Sequence, residues 1–148
     1  MKSKKKTSKN KISDFKSFTL IEILVVATII ALLASGGAVV YTQLNRASRD
    51  AKRKADLEQI RAALEMYRSN NNQYYSGSFN NNCQNVNWLV SYLSSLPNDP
   101  KSPSYYYRCN ISQSDYTLGA YLETGGRGSC GSCGDANCNY CVGPYGQK

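Results

Sequence analysis

Residues 18–41 read FTLIEILVVATIIALLASGGAVVY, a run of 24 residues whose only charged side chain is Glu22. As an α-helix rising about 1.5 Å per residue, this run is about 36 Å long and exceeds the hydrocarbon core of a bilayer, about 30 Å. The alternative is a buried core helix, but a chain of 148 residues has little else with which to surround it. We predict a transmembrane helix over residues 18–44 that stays in the mature protein, because no small-x-small cleavage site closes the run.

The positive charge of the chain is concentrated before this run. The net charge is +8, and residues 1–17, with seven Lys and one Asp, carry +6 of it. The other 131 residues hold 11 basic and 9 acidic side chains, a net +2, so nucleic acid is not an expected partner. A basic segment before a membrane span keeps the N-terminus in the cytoplasm. We therefore predict a single-pass protein of the cytoplasmic (inner) membrane, with everything after about residue 45 outside.

The helix is predicted to continue beyond the membrane as an amphipathic helix over residues 45–72. The stretch from Asn45 to Ser69 contains no Pro or Gly. Its apolar residues form one stripe at helical spacing: Leu57, Ile60, Leu64 and Tyr67. The helix should end at residues 70–72, three consecutive Asn, because Asn tolerates the left-handed conformation of a helix end.

A basic cluster follows the membrane span, and its side chains are expected mostly elsewhere on the helix surface. Its members are Arg46, Arg49, Lys52, Arg53 and Lys54. Their position next to the span favours contact with lipid head groups or neighbouring subunits over nucleic acid.

Residues 73–148 are predicted to form a small exported head, which makes the fold class α+β. A short amphipathic helix is indicated by the spacing of four apolar residues: Val86, Leu89, Leu93 and Leu96. Residues 105–111 and 116–123 are predicted to be two strands of an antiparallel hairpin or meander. Residues 125–148 form a Cys-rich tail with almost no apolar side chains, too few to order it by burial.

The six cysteines are expected to form disulfides. They are Cys83, Cys109, Cys130, Cys133, Cys138 and Cys141. The last four form two Cys-x-x-Cys pairs that resemble zinc knuckles, but only four residues separate the pairs, where zinc ribbons usually have 15 or more. Export also favours disulfides. Our preferred pairing joins Cys83 to Cys109 and places two bridges within the tail, with zinc left open as the alternative.

The junction between Ser17 and Phe18 resembles the processing site of type IV prepilins and type II secretion pseudopilins. In that family a basic leader precedes a Phe-Thr-Leu-Ile-Glu opening, here Phe18 to Glu22, and a long apolar helix. The resemblance implies that a prepilin peptidase removes leader 1–17 and methylates the new amine of Phe18. The residue before the cut is usually Gly in that family, and here it is Ser17. Major pseudopilins often carry a calcium site in the head, whereas here Asp99, Asp115 and Asp135 are scattered.

Glu22 is the candidate assembly residue. Near the start of the mature helix it lies close to the membrane interface, where a carboxylate is tolerated. Inside a packed filament it would be buried and need a partner. The amine of Phe18 on a neighbouring subunit is the predicted partner.

The predicted function is a structural subunit of an extracellular or periplasm-spanning helical filament, a type IV pilin or a major-pseudopilin-like protein. Its implied partners are copies of itself, prepilin peptidase, an inner-membrane assembly platform and motor, and membrane lipid before assembly. No enzyme is expected, because the chain has no His and no nucleophile–base pair. No cofactor is expected either, with calcium or zinc left open. The alternatives are a minor pilin that binds DNA or a surface, and a single-pass protein that does not assemble.

Overall fold

The computed structural model describes residues 18–75, 82–85 and 87–148. The predicted leader 1–17, with Ser17, and Val86 of the predicted short helix lie outside the described residues. The elements in chain order are α1 (Leu20–Asn71), two short 3₁₀ helices (Cys83–Asn85 and Asn87–Ser91) and four strands, β1 (Arg108–Ile111), β2 (Tyr116–Ala120), β3 (Tyr140–Gly143) and β4 (Gly146–Gln147). The predicted α+β class, one long N-terminal helix with a small β-sheet head, is confirmed.

The chain divides into two compact units, and the boundary falls within α1 after Val40. In the first unit the most apolar window of α1 has a mean hydropathy of 2.6, and none of it is buried. Leu20 and Leu32, for example, expose 83% and 74% of their surface. The core helix of a soluble protein is mostly buried by other parts of its chain. The alternative of a buried core helix therefore does not fit this exposed window of α1. The helix is long and apolar enough to cross a membrane.

The second unit begins at Tyr41 and contains the hydrophobic core. The apolar stripe of α1 lies in this core, with Leu57, Ile60 and Leu64 fully buried. The inner face of the sheet supplies alternate residues of its strands to the same core: Cys109 and Ile111 from β1, Tyr116, Leu118 and Ala120 from β2, and Val142 from β3. Removing each large apolar side chain from water contributes about 1.5–3 kcal/mol. The amphipathic part of α1 is therefore the element on which the head is built.

The end of α1 matches the sequence prediction. The last helical residue is Asn71, and Asn72 has a φ of 58°, in the left-handed region that Asn tolerates. The Asn71 side-chain Nδ2 also donates a hydrogen bond to the Tyr67 carbonyl, 2.9 Å away. The run of Asn residues thus supplies both the reversal of the backbone and a cap for a terminal carbonyl.

The predicted short helix through residues 86–96 is present as a shorter 3₁₀ helix, Asn87–Ser91, and a second 3₁₀ helix, Cys83–Asn85, precedes it. Asn82, one of several Asn and Ser residues around them, binds the local backbone and competes with a regular helix: its Oδ1 accepts the N–H of Gln84 at 3.0 Å. Leu89 is nevertheless buried, as its apolar position predicts. Trp88 and Leu93 pack against the core more loosely.

Four antiparallel strands form the sheet in the order β1-β2-β3-β4. β1 begins after its predicted start because the preceding backbone bonds elsewhere: Tyr106 N–H donates to the Cys133 carbonyl, and Cys83 N–H donates to the Tyr107 carbonyl. β2 ends before its predicted end because the Leu122 and Glu123 N–H groups donate to side-chain oxygens of Asn139 and Asp50. The sequence did not indicate β3 and β4, both in the Cys-rich tail. The tail is ordered by strand pairing and disulfides, with only Val142 contributing a large apolar side chain to the core cluster.

Candidate functional site

The N-terminus of α1 is capped by its own first residues. Glu22 Oε2 accepts hydrogen bonds from the Thr19 backbone N–H at 3.1 Å and from Thr19 Oγ1 at 3.0 Å. In return the Glu22 N–H donates to Thr19 Oγ1 at 3.3 Å. This reciprocal arrangement is a capping box, and the positive end of the helix dipole favours the carboxylate there. Sequence reasoning missed it, although a Thr followed three residues later by a Glu before an apolar run is its signature.

The capping box leaves part of Glu22 available. Only Oε2 takes part in it, and Oε1 accepts no hydrogen bond from any described residue. Phe18 precedes the helix and is 77% exposed. The exposed Phe18 and the free Oε1 of Glu22 therefore lie within about one helical turn of each other in sequence.

In the second unit, a buried ion network joins α1 to the head loops. The guanidinium of Arg53 is completely buried and bonds three carboxylates. Its Nε and Nη2 donate to the two oxygens of Asp99 at 2.8 and 3.0 Å, a two-pronged contact. Its Nη1 donates to Asp50 and to Glu123, both at 2.9 Å. Burial by itself lowers the pKa of Arg53, but these bonds outweigh burial and raise it, so the side chain stays charged.

The carboxylates of this network have further donors. Asp50 accepts the backbone N–H groups of Glu123 and Thr124 and the hydroxyl of Thr124, at 2.7–2.9 Å. Burial alone would raise the pKa of Asp50, and these bonds lower it instead. Glu123 also binds Arg49 and Lys101. The Arg49 hydrogen bond is the largest of the effects that hold the pKa of Glu123 far below its usual range.

This network corrects the prediction for the basic cluster. Lys52 and Lys54 are exposed as predicted, whereas Arg53 is fully buried and Arg49 is paired with Glu123. The sequence signal was present, because Arg53 lies four residues before Leu57 and therefore on the face of the apolar stripe. A charge on a buried helix face needs carboxylate partners, which the loops after residue 96 provide.

Two further carboxylates of α1 bind tyrosines of the head. Tyr107 Oη donates to Asp56 Oδ2 at 2.6 Å. The hydroxyls of Tyr74 and Tyr116 both donate to Glu65 Oε1 at 2.9 Å. Burial first, and then the Glu65 carboxylate, raise the pKa of Tyr116, so its hydroxyl remains a donor. Three tyrosines of the head thus fill the core with their rings and supply hydroxyl donors to acids of α1.

All six cysteines are joined in disulfides. Cys83 is bonded to Cys109, the preferred pairing, with Cα atoms 4.9 Å apart. The two tail bridges run between the Cys-x-x-Cys pairs, from Cys130 to Cys141 and from Cys133 to Cys138.

The tail covers the outer face of the sheet at a glycine. A Cβ atom on Gly119 would lie 2.8 Å from Cys130 Sγ and 3.0 Å from Cys138 Sγ. Asn139 fastens the same segment, since its side chain exchanges two hydrogen bonds with the backbone of Leu122. The outer face therefore has room for the disulfides only because residue 119 has no side chain.

The three scattered acids of the head lie in separate environments. Asp99 is buried on Arg53, Asp115 bonds Lys148 at 3.0 Å, and Asp135 is exposed on the tail. Within the described residues no group of three or more His, Cys, Asp or Glu side chains is placed to hold a metal ion. The expectation of no cofactor, with calcium or zinc left open, stays a prediction.

These features together define a class of protein. An exposed apolar helix, capped at its start by Thr19 and Glu22, continues as the backbone of a small disulfide-bonded head with an antiparallel sheet. This is the architecture of a pilin-like subunit.

Comparison with known proteins gives the family. The model of the type II secretion system protein G family matches residues 40–137, and that of the prokaryotic N-terminal methylation motif matches residues 12–38. The type II secretion system core protein G of Pseudomonas aeruginosa is 36% identical over 125 residues, which cover 74% of this chain and 86% of that protein. That of Vibrio cholerae is 30% identical over 142 residues, covering 81% and 90%. No solved structure matches the chain. The chain belongs to the type II secretion protein G family, the pseudopilins, which confirms the resemblance.

Proposed function

We propose that this chain is a structural subunit of a helical secretion pseudopilus, made as a precursor in the cytoplasmic membrane. Prepilin peptidase cuts between Ser17 and Phe18 and methylates the Phe18 amine. An inner-membrane assembly platform and motor then move the mature subunit from lipid into the filament. The proposal rests on family membership and on the exposed, capped apolar helix.

The N-terminal helix suits both stages of this path. In the membrane its apolar side chains face lipid, and the seven lysines before it hold the N-terminus in the cytoplasm. In a filament the same side chains are buried against those of neighbouring subunits. Large exposed apolar residues occur along the whole described part of the first unit. Such a surface needs to be covered either by lipid or by neighbouring subunits.

Glu22 is where the two stages differ chemically. In the membrane the capping box supplies donors to Oε2 while Oε1 remains open to interfacial water. In the filament that water is lost, and an uncompensated buried carboxylate is strongly unfavourable. The positively charged amine that cleavage creates on Phe18 of a neighbouring subunit supplies the missing donor. Because the pairing requires the free amine of Phe18, only cleaved subunits join the filament.

The test removes the carboxylate of Glu22. Glu22→Ala should insert into the membrane normally, since an apolar residue there is tolerated, but should form no filaments. The measurement compares membrane-bound and sheared filament fractions by immunoblot.

Glu58→Ala is the matched control, because Glu58 is an exposed acid of the same helix that, among the described residues, pairs with Arg61 alone. It should assemble normally. Filaments of Glu22→Ala at the level of the unsubstituted chain would refute the pairing.

A further inference from the structure

The three disulfides differ in their access to solvent. All six cysteines are described, and five of them expose at most 2% of their surface: Cys83, Cys109, Cys133, Cys138 and Cys141. Cys130 is the exception, because it is only partly buried. A disulfide is cleaved by direct attack on one of its sulfur atoms, so access decides which bridge reacts. The Cys130–Cys141 bridge is therefore the accessible one in the folded head.

This bridge borders a pocket on the outer face of the sheet. The pocket has a volume of about 410 Å³, and both Cys130 and Cys141 line it. Toward the sheet the bridge is closed off by Gly119, since a Cβ there would lie 2.8 Å from Cys130 Sγ. Gly128 also lines the pocket and carries no side chain that would cover the sulfur atoms. A reagent therefore reaches the bridge from the pocket.

The pocket is positively charged around the bridge. Arg127 lines it, is exposed, and forms no hydrogen bond or ion pair with the described residues. Lys148 lines it too, although Asp115 already binds the Lys148 ammonium at 3.0 Å. Among the described residues that line the pocket, none is acidic. Because the attacking species in disulfide exchange is a thiolate anion, the free guanidinium of Arg127 attracts it to the bridge.

We propose that the Cys130–Cys141 bridge is a thiol–disulfide exchange site whose reactant is a dithiol. One thiolate of the dithiol attacks Sγ of Cys130, which forms a mixed disulfide and releases Cys141 as a thiolate. The second thiolate of the dithiol attacks its own partner sulfur in the mixed disulfide and releases the thiolate of Cys130. The dithiol is thereby oxidised to a disulfide by two electrons, and its two protons pass to the two reduced cysteines.

Opening this bridge changes the tail without releasing the sheet. Cys141 stays in β3, where it pairs with Gly119 of β2. The other two bridges are buried and remain closed. The segment before Cys130 keeps the backbone hydrogen bond from the Gly128 N–H to the Asn139 carbonyl, at 2.7 Å. Exchange therefore loosens one wall of the pocket while the head remains folded.

The first test is partial reduction of the full chain in detergent. Dithiothreitol is the dithiol probe, the released thiols are alkylated with iodoacetamide, and peptide mass spectrometry locates them. Cys130 and Cys141 should be alkylated about tenfold faster than the other four cysteines or faster still, because buried bridges react only after local opening. Urea below the unfolding midpoint should accelerate reduction of the buried bridges alone. Reduction of a buried bridge first, or of all three at one rate, would overturn the proposal.

A monothiol identifies the sulfur atom that is attacked. Glutathione has no second thiolate with which to complete the reaction, so a brief exposure followed by alkylation preserves the mixed disulfide. Glutathione should be found on Cys130 and the alkyl group on Cys141. The reverse distribution would overturn the assignment of Cys130 as the attacked residue.

Arg127→Gln tests the role of the pocket charge. It should slow reduction by 2-mercaptoethanesulfonate, whose sulfonate adds a second negative charge, by about threefold, and slow reduction by 2-mercaptoethanol less. Arg46→Gln is the matched control, because it makes the same charge change at a different pocket, and it should leave both rates unchanged. Intact mass before reduction checks that each variant has formed all three disulfides. Equal rates for Arg127→Gln and the unsubstituted chain would overturn the attraction of the thiolate by Arg127.

Discussion

At the scale of single residues, Arg53 links α1 to the loops of the head. Its guanidinium is fully buried, and four hydrogen bonds connect it to acids from α1, from the loop at Asp99 and from the segment after β2. A buried charge of this kind adds little net stability compared with an apolar core, but it is costly to break. The network therefore specifies how the loops attach to the helix.

Replacing Arg53 tests this attachment. Arg53→Met should lower the free energy of unfolding by about 3–5 kcal/mol, because Asp50 and Asp99 lose their bonded cation and Glu123 loses one of its three. Arg53→Lys should cost less, since an ammonium keeps the charge but cannot bind both oxygens of Asp99 in the same way. Urea unfolding of the full chain in detergent, followed by near-ultraviolet circular dichroism, measures both.

Lys52→Met is the matched control for Arg53. It removes a neighbouring cation that is exposed, and the change should stay within about 0.5 kcal/mol. Equal effects at the two positions would show that the Arg53 network does not hold the head.

At the scale of elements, the disulfides differ in the length of chain that they close. The Cys83–Cys109 bridge spans a sequence separation of 26 and the Cys133–Cys138 bridge one of 5. In the chain-entropy model these loops contribute about 3.5 and about 2.2 kcal/mol. Replacing Cys83 and Cys109 by Ala should therefore lower the urea midpoint more than replacing Cys133 and Cys138. The reverse order would show that the Cys133–Cys138 bridge stabilises the head by more than the entropy of loop closure.

The elements also show what the sequence allows one to predict. The length of α1, its end at the Asn run and the position of β1 and β2 follow from periodicity and local conformational preference. The strands of the tail do not, because β3 is ordered by pairing with β2 and by two disulfides over Gly119. Among the site residues, Glu22 can be identified from the sequence because it is the only charge in an apolar run. Asp99 and Glu123 cannot be identified as partners of Arg53, because these pairings depend on tertiary contacts.

At the scale of the whole molecule, the ion network makes the stability of the head depend on pH. The folded-state pKa values of Glu123 and Asp50 are lowered below those of an unfolded chain, about 4. Their contribution is therefore complete above that pH and is lost as the pH falls toward the folded-state values. The urea midpoint of the full chain should fall steadily between about pH 5 and about pH 2.5.

The Arg53→Met variant provides the comparison for this pH profile. Without the buried guanidinium, the nearby carboxylates lose part of the cause that lowers their pKa values. Its urea midpoint should vary less over the same range. Identical slopes of urea midpoint against pH for the two proteins would show that the pH dependence does not arise from the Arg53 network.

The whole-molecule claim is that this chain is a processed filament subunit. Intact-mass spectrometry of the protein in sheared filament fractions tests it most directly. We expect a species that begins at Phe18, carries one added methyl group and has six fewer hydrogens than the reduced chain, two for each disulfide. A filament fraction made of chains that still begin at Met1 would show that the leader is not removed before assembly.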